Sequence, residues 1–262
     1  MACFSISSLL CNLNSNSLFT VELVLGKSIL KFKPTKSNGP DSVIDIAKKH
    51  NLGKVFLLEN RMHGFLDYLR HSEKNDFDFV FGLRLQVASD FEKKSSHRIN
   101  IFAKNNQGIK LLYKIYSLAF SERDGRVCEQ DVLKFWSPDD LLLAIPFYDS
   151  YVYYNNLTFE NFIPDFSQFG SVTMFIEDNG LPFDSLLREK VKAAADYYEA
   201  TIQKVKSIYY KDRKDFNAYQ VRRIIDARRG AKTNSLSRPN LESCGSAEFS
   251  FESWLDHEKQ II

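Results

Sequence analysis

Short apolar runs alternate with amphipathic stretches along most of this chain. Three runs, at residues 55–58, 141–145 and 172–176, are mainly aliphatic and aromatic, whereas apolar positions recur at helical spacing over residues 183–198. Continuous apolar runs are typical of strands buried on both faces, and a period of about 3.6 residues is typical of a helix with one buried face. From residue 41 onward, the alternation predicts an α/β fold with a mostly parallel sheet or barrel.

The same patterns predict the individual elements. Strands are predicted at residues 3–9, 55–58, 77–80, 83–88, 99–103, 141–145, 172–176 and 201–205. Helices are predicted at residues 41–50, 62–71, 107–120, 129–136, 183–198, 216–228 and 249–257. Asp41 or Ser42 is suited to cap the first of these helices and Asn105 the third, because their side-chain oxygens accept backbone N–H groups.

Two segments fall outside this alternation. Residues 18–33 alternate around a Leu-Gly-Lys turn and predict a hairpin insertion. Residues 230–247 are rich in Ser, Asn and Gly and predict a mobile loop. A chain of 262 residues can bury enough apolar surface to fold unaided, and we predict one domain over residues 1–262.

The charges bear on the partners of the chain. The 35 Lys and Arg residues nearly balance the 33 Asp and Glu residues, so no strong overall field draws the molecule to nucleic acid or an anionic membrane. Acidic residues dominate residues 122–178, and basic residues are dense over residues 204–232. This separation of acidic and basic segments predicts a local contact surface for a partner, and not a general affinity for nucleic acid or membranes.

The cysteines and the start of the chain bear on location. The four cysteines are scattered and form no C-x-x-C motif: Cys3, Cys11, Cys128 and Cys244. Such spacing argues against a structural zinc site and a disulfide framework. The first apolar run lacks a basic start and is too short to span a membrane. We therefore expect a cytoplasmic chain without a membrane partner.

Residues 98–120, RINIFAKNNQGIKLLYKIYSLAF, carry the most distinctive pattern, in which a short strand leads through Ala-Lys-Asn-x-x-Gly into a long helix. This run closely resembles the PHP (polymerase and histidinol phosphatase) domain that opens DNA polymerase III alpha subunits, the bacterial C-family replicative polymerases. Five further segments resemble other parts of that domain, in the same order: residues 41–53, 77–89, 176–198, 216–233 and 246–258. The resemblance spans nearly the whole chain and implies a distorted β/α barrel with mostly parallel strands.

In that family, clustered His, Asp, Glu and Cys side chains hold metal ions that activate water for phosphoester hydrolysis. The resemblance implies that other residues stand at the ligand positions of this chain: Ser5, Ser7, Leu9, Leu58, Glu59, Arg84, Tyr148, Ser207 and Tyr209. A lone carboxylate cannot hold such a cluster, and Arg84 would repel it. The resemblance therefore implies a degenerate site with no metal or other cofactor and no hydrolase activity.

The expected role is that of a catalytically inactive scaffold in DNA replication. The polymerase body or another replisome protein is the expected partner, and the divergence suggests a phage origin. One alternative is a metal-dependent phosphoesterase or 3′–5′ exonuclease with a site rebuilt around Glu59, His63 and Asp178. Another is a free-standing adaptor or inhibitor of a host polymerase.

Several further residues have both a functional and a packing interpretation. Four arginines, Arg222, Arg223, Arg228 and Arg229, suit weak contacts with DNA phosphates or an acidic partner, with a solvated face as the equal alternative. On the same helix, the pattern predicts that three side chains point inward: Val221, Ile224 and Ile225.

The remaining histidines, tyrosines and acids favour the structural interpretation. Surface positions are expected for His50, His63, His71 and His97. Packing is favoured over base stacking for Tyr148, Tyr151, Tyr153 and Tyr154, because they lie in the acidic part of the chain. Glu177 and Asp178 precede Asn-Gly, a turn whose acids usually bind backbone N–H groups.

Overall fold

A computed structural model of the protein describes residues 20–24, 28–34, 41–52, 54–92, 95–228 and 245–259. The strands are β1 Thr20–Val24, β2 Val55–Glu59, β3 Phe79–Val87, β4 His97–Ala103, β5 Arg126–Val127, β6 Leu141–Ile145, β7 Val172–Ile176 and β8 Thr201–Ile208. The helices are α1 Val43–Lys49, α2 Phe65–Asn75, α3 Asn106–Glu122, α4 Glu129–Leu133, α5 Tyr151–Leu157, α6 Asp184–Tyr197, α7 Phe216–Arg228 and α8 Phe251–Lys259.

The pairings of the described strands close a ring. Strand β1 pairs with β2 and β8, β2 pairs with β3, and β7 lies between β6 and β8. Strand β4 completes the ring between β3 and β6 and is antiparallel to both, whereas the other ring pairings are parallel. The short β5 pairs with the end of β3. The architecture is a distorted β/α barrel with mostly parallel strands, as predicted.

Close packing inside the barrel accounts for one difference from the predicted elements. The two predicted strands at residues 77–80 and 83–88 are one continuous strand, β3. Gly82 in its middle looks like an interruption in the sequence, yet a Cβ atom there would lie 2.6 Å from the Phe102 ring and 2.7 Å from Leu58. The glycine therefore provides space within a strand and does not end it.

Helix α3 confirms the helix that was predicted to follow the Ala-Lys-Asn-x-x-Gly motif. The Asn105 side chain accepts a hydrogen bond from the Gly108 N–H at 2.9 Å and so caps the helix. A Cβ atom on Gly108 would lie 2.2 Å from the Asp140 carbonyl oxygen, so the glycine permits a close approach of helix and loop. Leu112 and Ile115 are fully buried against the sheet. The motif is thus explained by capping and packing.

Helix α7 differs from its predicted orientation. It spans the predicted residues, but Val221 and Ile225 are exposed and Ile224 is half-buried. Among the side chains described on this helix, the fully buried one is Tyr219. The Tyr219 ring stacks on Tyr209 with centroids 5.3 Å apart. The inward prediction is wrong for Val221 and Ile225, because an aromatic side chain fills the space beneath the helix.

The N-terminal region also differs. Both edges of β1 are occupied, by β2 and β8, so β1 is a barrel strand and not an arm of the hairpin predicted at residues 18–33. The predicted strand at residues 3–9 and most of the predicted loop at 230–247 lie outside the described residues. The single-domain assignment stays a prediction. No described helix is both long and apolar enough to cross a membrane.

Candidate functional site

Parallel strands bring their carboxyl ends to one end of a barrel, which is where β/α barrels place their sites. In this chain, that end holds Leu58 and Glu59 of β2, Tyr148 after β6, and Ser207 and Tyr209 at the end of β8. The structure therefore brings together most of the positions that the resemblance identifies. Ser5, Ser7 and Leu9 lie outside the described residues.

Glu177 forms the centre of a buried hydrogen-bond network at this end. Its Oε2 atom accepts the Ser207 N–H at 2.9 Å and the Asn179 side-chain amide at 2.8 Å. Its Oε1 atom accepts the Ser207 hydroxyl at 2.8 Å. Burial raises the pKa of Glu177, although the three donors favour its charged form. Both oxygens of the Glu177 carboxylate are thus occupied by hydrogen bonds from Ser207 and Asn179.

The network continues from Asn179 to helix α6. The Asn179 amide also donates to the Tyr148 hydroxyl at 3.1 Å, and that hydroxyl donates to Asp184 at 2.9 Å. The other oxygen of Asp184 accepts the N–H groups of Asn179 and Leu181. We call Tyr148, Glu177, Asn179, Asp184 and Ser207 the Glu177 cluster. It joins β8, the loop after β6 and the start of α6.

A second polar group at this end of the barrel is positively charged. Arg84 of β3 is buried and forms an ion pair with Asp149. Arg98 of β4 lies diagonally opposite on the same face, and its N–H donates to the Asp149 carbonyl at 2.8 Å. Burial, and then repulsion by Arg84, lowers the pKa of Arg98 to about 10. The Arg84 guanidinium thus lies where the resemblance implies a metal-binding Glu, and Arg98 adds a second positive charge close to it.

Aromatic packing occupies another of the implied ligand positions. The Tyr209 ring is stacked between Tyr219 and Phe249, with centroid distances of 5.3 and 5.1 Å. The Tyr209 carbonyl accepts the Ser28 hydroxyl at 2.7 Å. Leu58 is fully buried beside Gly82. Tyr209 and Leu58 therefore serve packing.

The described residues at this end of the barrel do not fit the metal cluster that the resemblance would require. Among the described residues, no group of three or more His, Cys, Asp or Glu side chains could hold a metal ion. The Glu177 and Asp184 oxygens already accept N–H and O–H groups, and Lys206 donates to the Asp178 carbonyl at 3.0 Å. A metal site needs converging acceptors, whereas this end of the barrel supplies hydrogen-bond donors and cations.

The three residues of the alternative rebuilt site have separate partners. Glu59 accepts the Tyr68 hydroxyl at 2.5 Å. His63 is exposed, with Nδ1 3.3 Å from the Tyr116 hydroxyl. Asp178 is exposed and forms an ion pair with Arg188 at 3.1 Å. Helix α2 begins only at Phe65, so Glu59 and His63 do not form a pair on one helix.

His97 contradicts the expectation of a surface histidine. Its side chain is 1% exposed and packs against the rings of Phe162 and Tyr151, with centroids 5.0 and 6.0 Å away. Neither ring nitrogen makes a full hydrogen bond in the described part of the chain, although a contact with the Arg98 backbone favours the charged form. Burial lowers the pKa of His97 to about 4. The preceding loop made the residue look exposed, but β4 extends to include it.

The other sequence assignments fall into three groups. Tyr148, Tyr151 and Tyr153 are buried, which confirms the packing interpretation for them. Asp178 accepts the Gly180 N–H, as expected of a turn residue, whereas the central position of Glu177 was not predicted. The roles of the four arginines stay predictions: Arg222 and Arg223 lie on α7, and Arg229 and the Arg228 side chain are outside the described part.

Comparisons with known proteins leave the family open. No family model matches the chain, and no curated protein matches it significantly. One weakly similar solved structure is that of a Bifidobacterium adolescentis protein described as a metal-dependent phosphoesterase. Its TM-score is 0.42 at 8% identity, and the match covers 71% of this chain and 87% of that one. Structural similarity with so low a TM-score supports no conclusion about the chemistry of this chain. The assignment of a barrel rests on the strand pairings alone.

Proposed function

We propose that the chain is a non-catalytic PHP-like barrel module of a replicative DNA polymerase. Its role would be to brace the polymerase body or to dock another replisome protein, in the cytoplasm and in a phage-encoded replication system. The ordered sequence segments that resemble DNA polymerase III alpha subunits support the link to replication. The barrel architecture is compatible with that link.

The Glu177 cluster carries the non-catalytic part of the proposal. A metal-dependent phosphoesterase needs carboxylates and imidazoles that are available to a metal ion. In this chain, Ser207 and Asn179 supply three donors to Glu177, and Tyr148 supplies one to Asp184. Removing these donors from the carboxylates would leave buried polar groups unpaired, which is costly. The cluster is therefore suited to joining β8 to α6 and not to metal-dependent phosphoester hydrolysis.

The catalytic part is tested with purified protein. The chain is loaded with Zn²⁺ or Mn²⁺, freed of excess metal, and examined by elemental analysis beside phosphatase and 3′–5′ exonuclease assays. We expect neither stoichiometric metal nor metal-dependent activity. Stoichiometric metal with activity would overturn the proposal. A Glu59→Ala/His63→Ala variant would then show whether the rebuilt site is responsible, with Glu189→Ala on the exposed face of α6 as the matched control.

The partner is tested separately. The full chain is co-expressed with the C-family polymerase of its own replication system and with that of the host, and each mixture is analysed by co-purification. Binding to its own polymerase supports the proposed module. Binding to the host polymerase alone would indicate an adaptor or inhibitor, and binding to neither would overturn the replication role. Short duplex DNA, titrated against the wild-type chain and Arg222→Ala, tests the proposed weak DNA contact.

A further inference from the structure

A loop on the outside of the barrel displays apolar side chains in an acidic setting. Residues 158–166, which we call the acidic loop, follow α5 and contain Glu160 and Asp165 but no Lys or Arg. Phe159 is 91% exposed and Ile163 is 80% exposed. Both acids are exposed beside them. Two large apolar side chains at this exposure, within one short loop that also carries polar side chains, are suited to a protein contact.

The loop is held in place, so this exposure does not come from a loose segment. The Asn155 side chain pairs with both the N–H and the carbonyl of Phe162, at 2.9 and 2.8 Å. The Tyr198 hydroxyl donates to the Pro164 carbonyl at 2.8 Å. Phe162 and Phe166 are buried beneath the loop. A preorganised surface loses less conformational entropy on binding.

Phe159 also has an unusual backbone. Its φ angle is 58°, a left-handed conformation that bulky residues seldom adopt. Such conformations cost free energy and persist where the surrounding structure imposes them. Phe159 directly follows the C-cap of α5, Thr158, and its left-handed backbone ends that helix, with the Glu160 N–H donating to the Tyr154 carbonyl at 3.3 Å. The exposed ring is therefore held on a structured helix end.

Helix α7 presents a surface of opposite charge. Because Tyr219 occupies the interior, Val221 and Ile225 are left 45% and 49% exposed. Arg222 is exposed beside them, and Arg223 is half-buried. We call this side of α7 the basic helix face. Like the acidic loop, it combines aliphatic contacts with charge, but the charge is positive.

We infer that the acidic loop of one copy of this chain docks on the basic helix face of a second copy. Phe159 and Ile163 would bury their surface against Val221 and Ile225, while Glu160 faces Arg222. Complementary charges around an apolar centre steer association and exclude wrong partners. The two surfaces differ, so the contact is heterologous and each copy can use both of its surfaces. The association requires no part of the proposed replication role.

The first test is sedimentation velocity of the purified full chain, from micromolar to millimolar concentration. We expect reversible association that weakens as salt is added, because salt screens exposed charges. Phe159→Asn keeps a residue that tolerates the left-handed backbone but removes the ring, and Glu160→Lys reverses one charge. Each should weaken association by about tenfold or more. Lys190→Glu, on the exposed face of α6, is the matched control and should have no effect.

A mixing experiment tests which surfaces meet. Phe159→Asn alone and Arg222→Glu alone should each be largely monomeric. An equimolar mixture should form heterodimers, because the intact loop of the Arg222→Glu chain can dock on the intact helix of the Phe159→Asn chain. Thermal denaturation of each variant confirms that it remains folded.

Three results would overturn the inference. The wild-type chain could remain monomeric at every concentration, whether or not DNA binds to Arg222. Association could occur yet be unchanged in Phe159→Asn and Glu160→Lys. The mixture could stay monomeric while wild type associates, which would show that the acidic loop meets a surface other than the basic helix face.

Discussion

Glu177 and His97 are both buried titratable residues, but their surroundings differ. Glu177 lies after β7, and its two oxygens accept three hydrogen bonds from Ser207 and Asn179. His97 lies in β4 among aromatic rings, and neither of its nitrogens makes a full hydrogen bond among the described residues. Burial raises the pKa of Glu177 and lowers that of His97.

The contrast shows two ways to accommodate a polar side chain inside a barrel. The Glu177 carboxylate accepts hydrogen bonds from neighbouring buried donors. Removing it would leave those donors without an acceptor, which lowers the free energy of unfolding. The neutral His97 imidazole fills space among aromatic rings. Burying its nitrogens without full hydrogen bonds is unfavourable for stability. We therefore expect Glu177 to be required for stability and His97 to be replaceable.

The largest effect is expected for Glu177→Ala. The substitution leaves the Ser207 N–H and hydroxyl and the Asn179 amide without their acceptor, which should lower the free energy of unfolding by about 3–5 kcal/mol. Denaturant unfolding measures the change. The neighbouring Asp178→Ala removes an exposed carboxylate and should cost less than about 1 kcal/mol. Equal losses in the two variants would show that the cluster does not depend on Glu177.

The pH dependence should have opposite signs at the two sites. The folded state disfavours protonated His97, so stability is retained above the unfolded pKa of 6.5 and is lost as pH falls towards about 4, by about 3 kcal/mol in total. The pKa of Glu177 is raised, so its contribution is present below 4.5 and is lost as pH rises through the folded pKa. Unfolding curves of wild type, His97→Leu and Glu177→Gln, compared across pH, isolate each contribution. Slopes of the same sign would contradict this contrast.

A smaller loss is expected for Tyr148→Phe. The ring can remain in place, but Asp184 loses one donor and the Asn179 amide loses one acceptor. The free energy of unfolding should fall by about 1–2 kcal/mol. Tyr197→Phe, at an exposed position on α6, should change it by less than about 0.5 kcal/mol. Thermal unfolding of both variants distinguishes a hydrogen-bond effect from a general effect of removing a hydroxyl.

The smallest effect is expected for His97→Leu at neutral pH. Leucine has a similar size and needs no hydrogen-bond partner, so stability should be unchanged or raised by up to about 1 kcal/mol. Denaturant unfolding at pH 7 measures it. A loss as large as that of Tyr148→Phe would mean that the imidazole makes an interaction essential to the packing of β4 against α5.

Local sequence signals predicted elements better than the contacts between them. Asn105 and Gly108 marked the start of α3, and the spacing of Leu187, Val191 and Ala195 marked the buried face of α6. The division of β3 into two predicted strands was wrong, and the need for Gly82 in its middle comes from the proximity of Phe102 and Leu58 on other strands. The role of Glu177 was missed for the same reason, since its partner Ser207 is distant in sequence.

By itself, the sequence determined the order and type of most described elements and the α/β class, because periodicity and caps act over a few residues. The tertiary structure alone decided the antiparallel pairing of β4, the place of β1 between β2 and β8, and the inward position of Tyr219. It also decided that both Glu177 oxygens accept hydrogen bonds, whereas the His97 nitrogens make no full hydrogen bond among the described residues. These outcomes depend on which distant groups meet, and a local pattern does not contain that information.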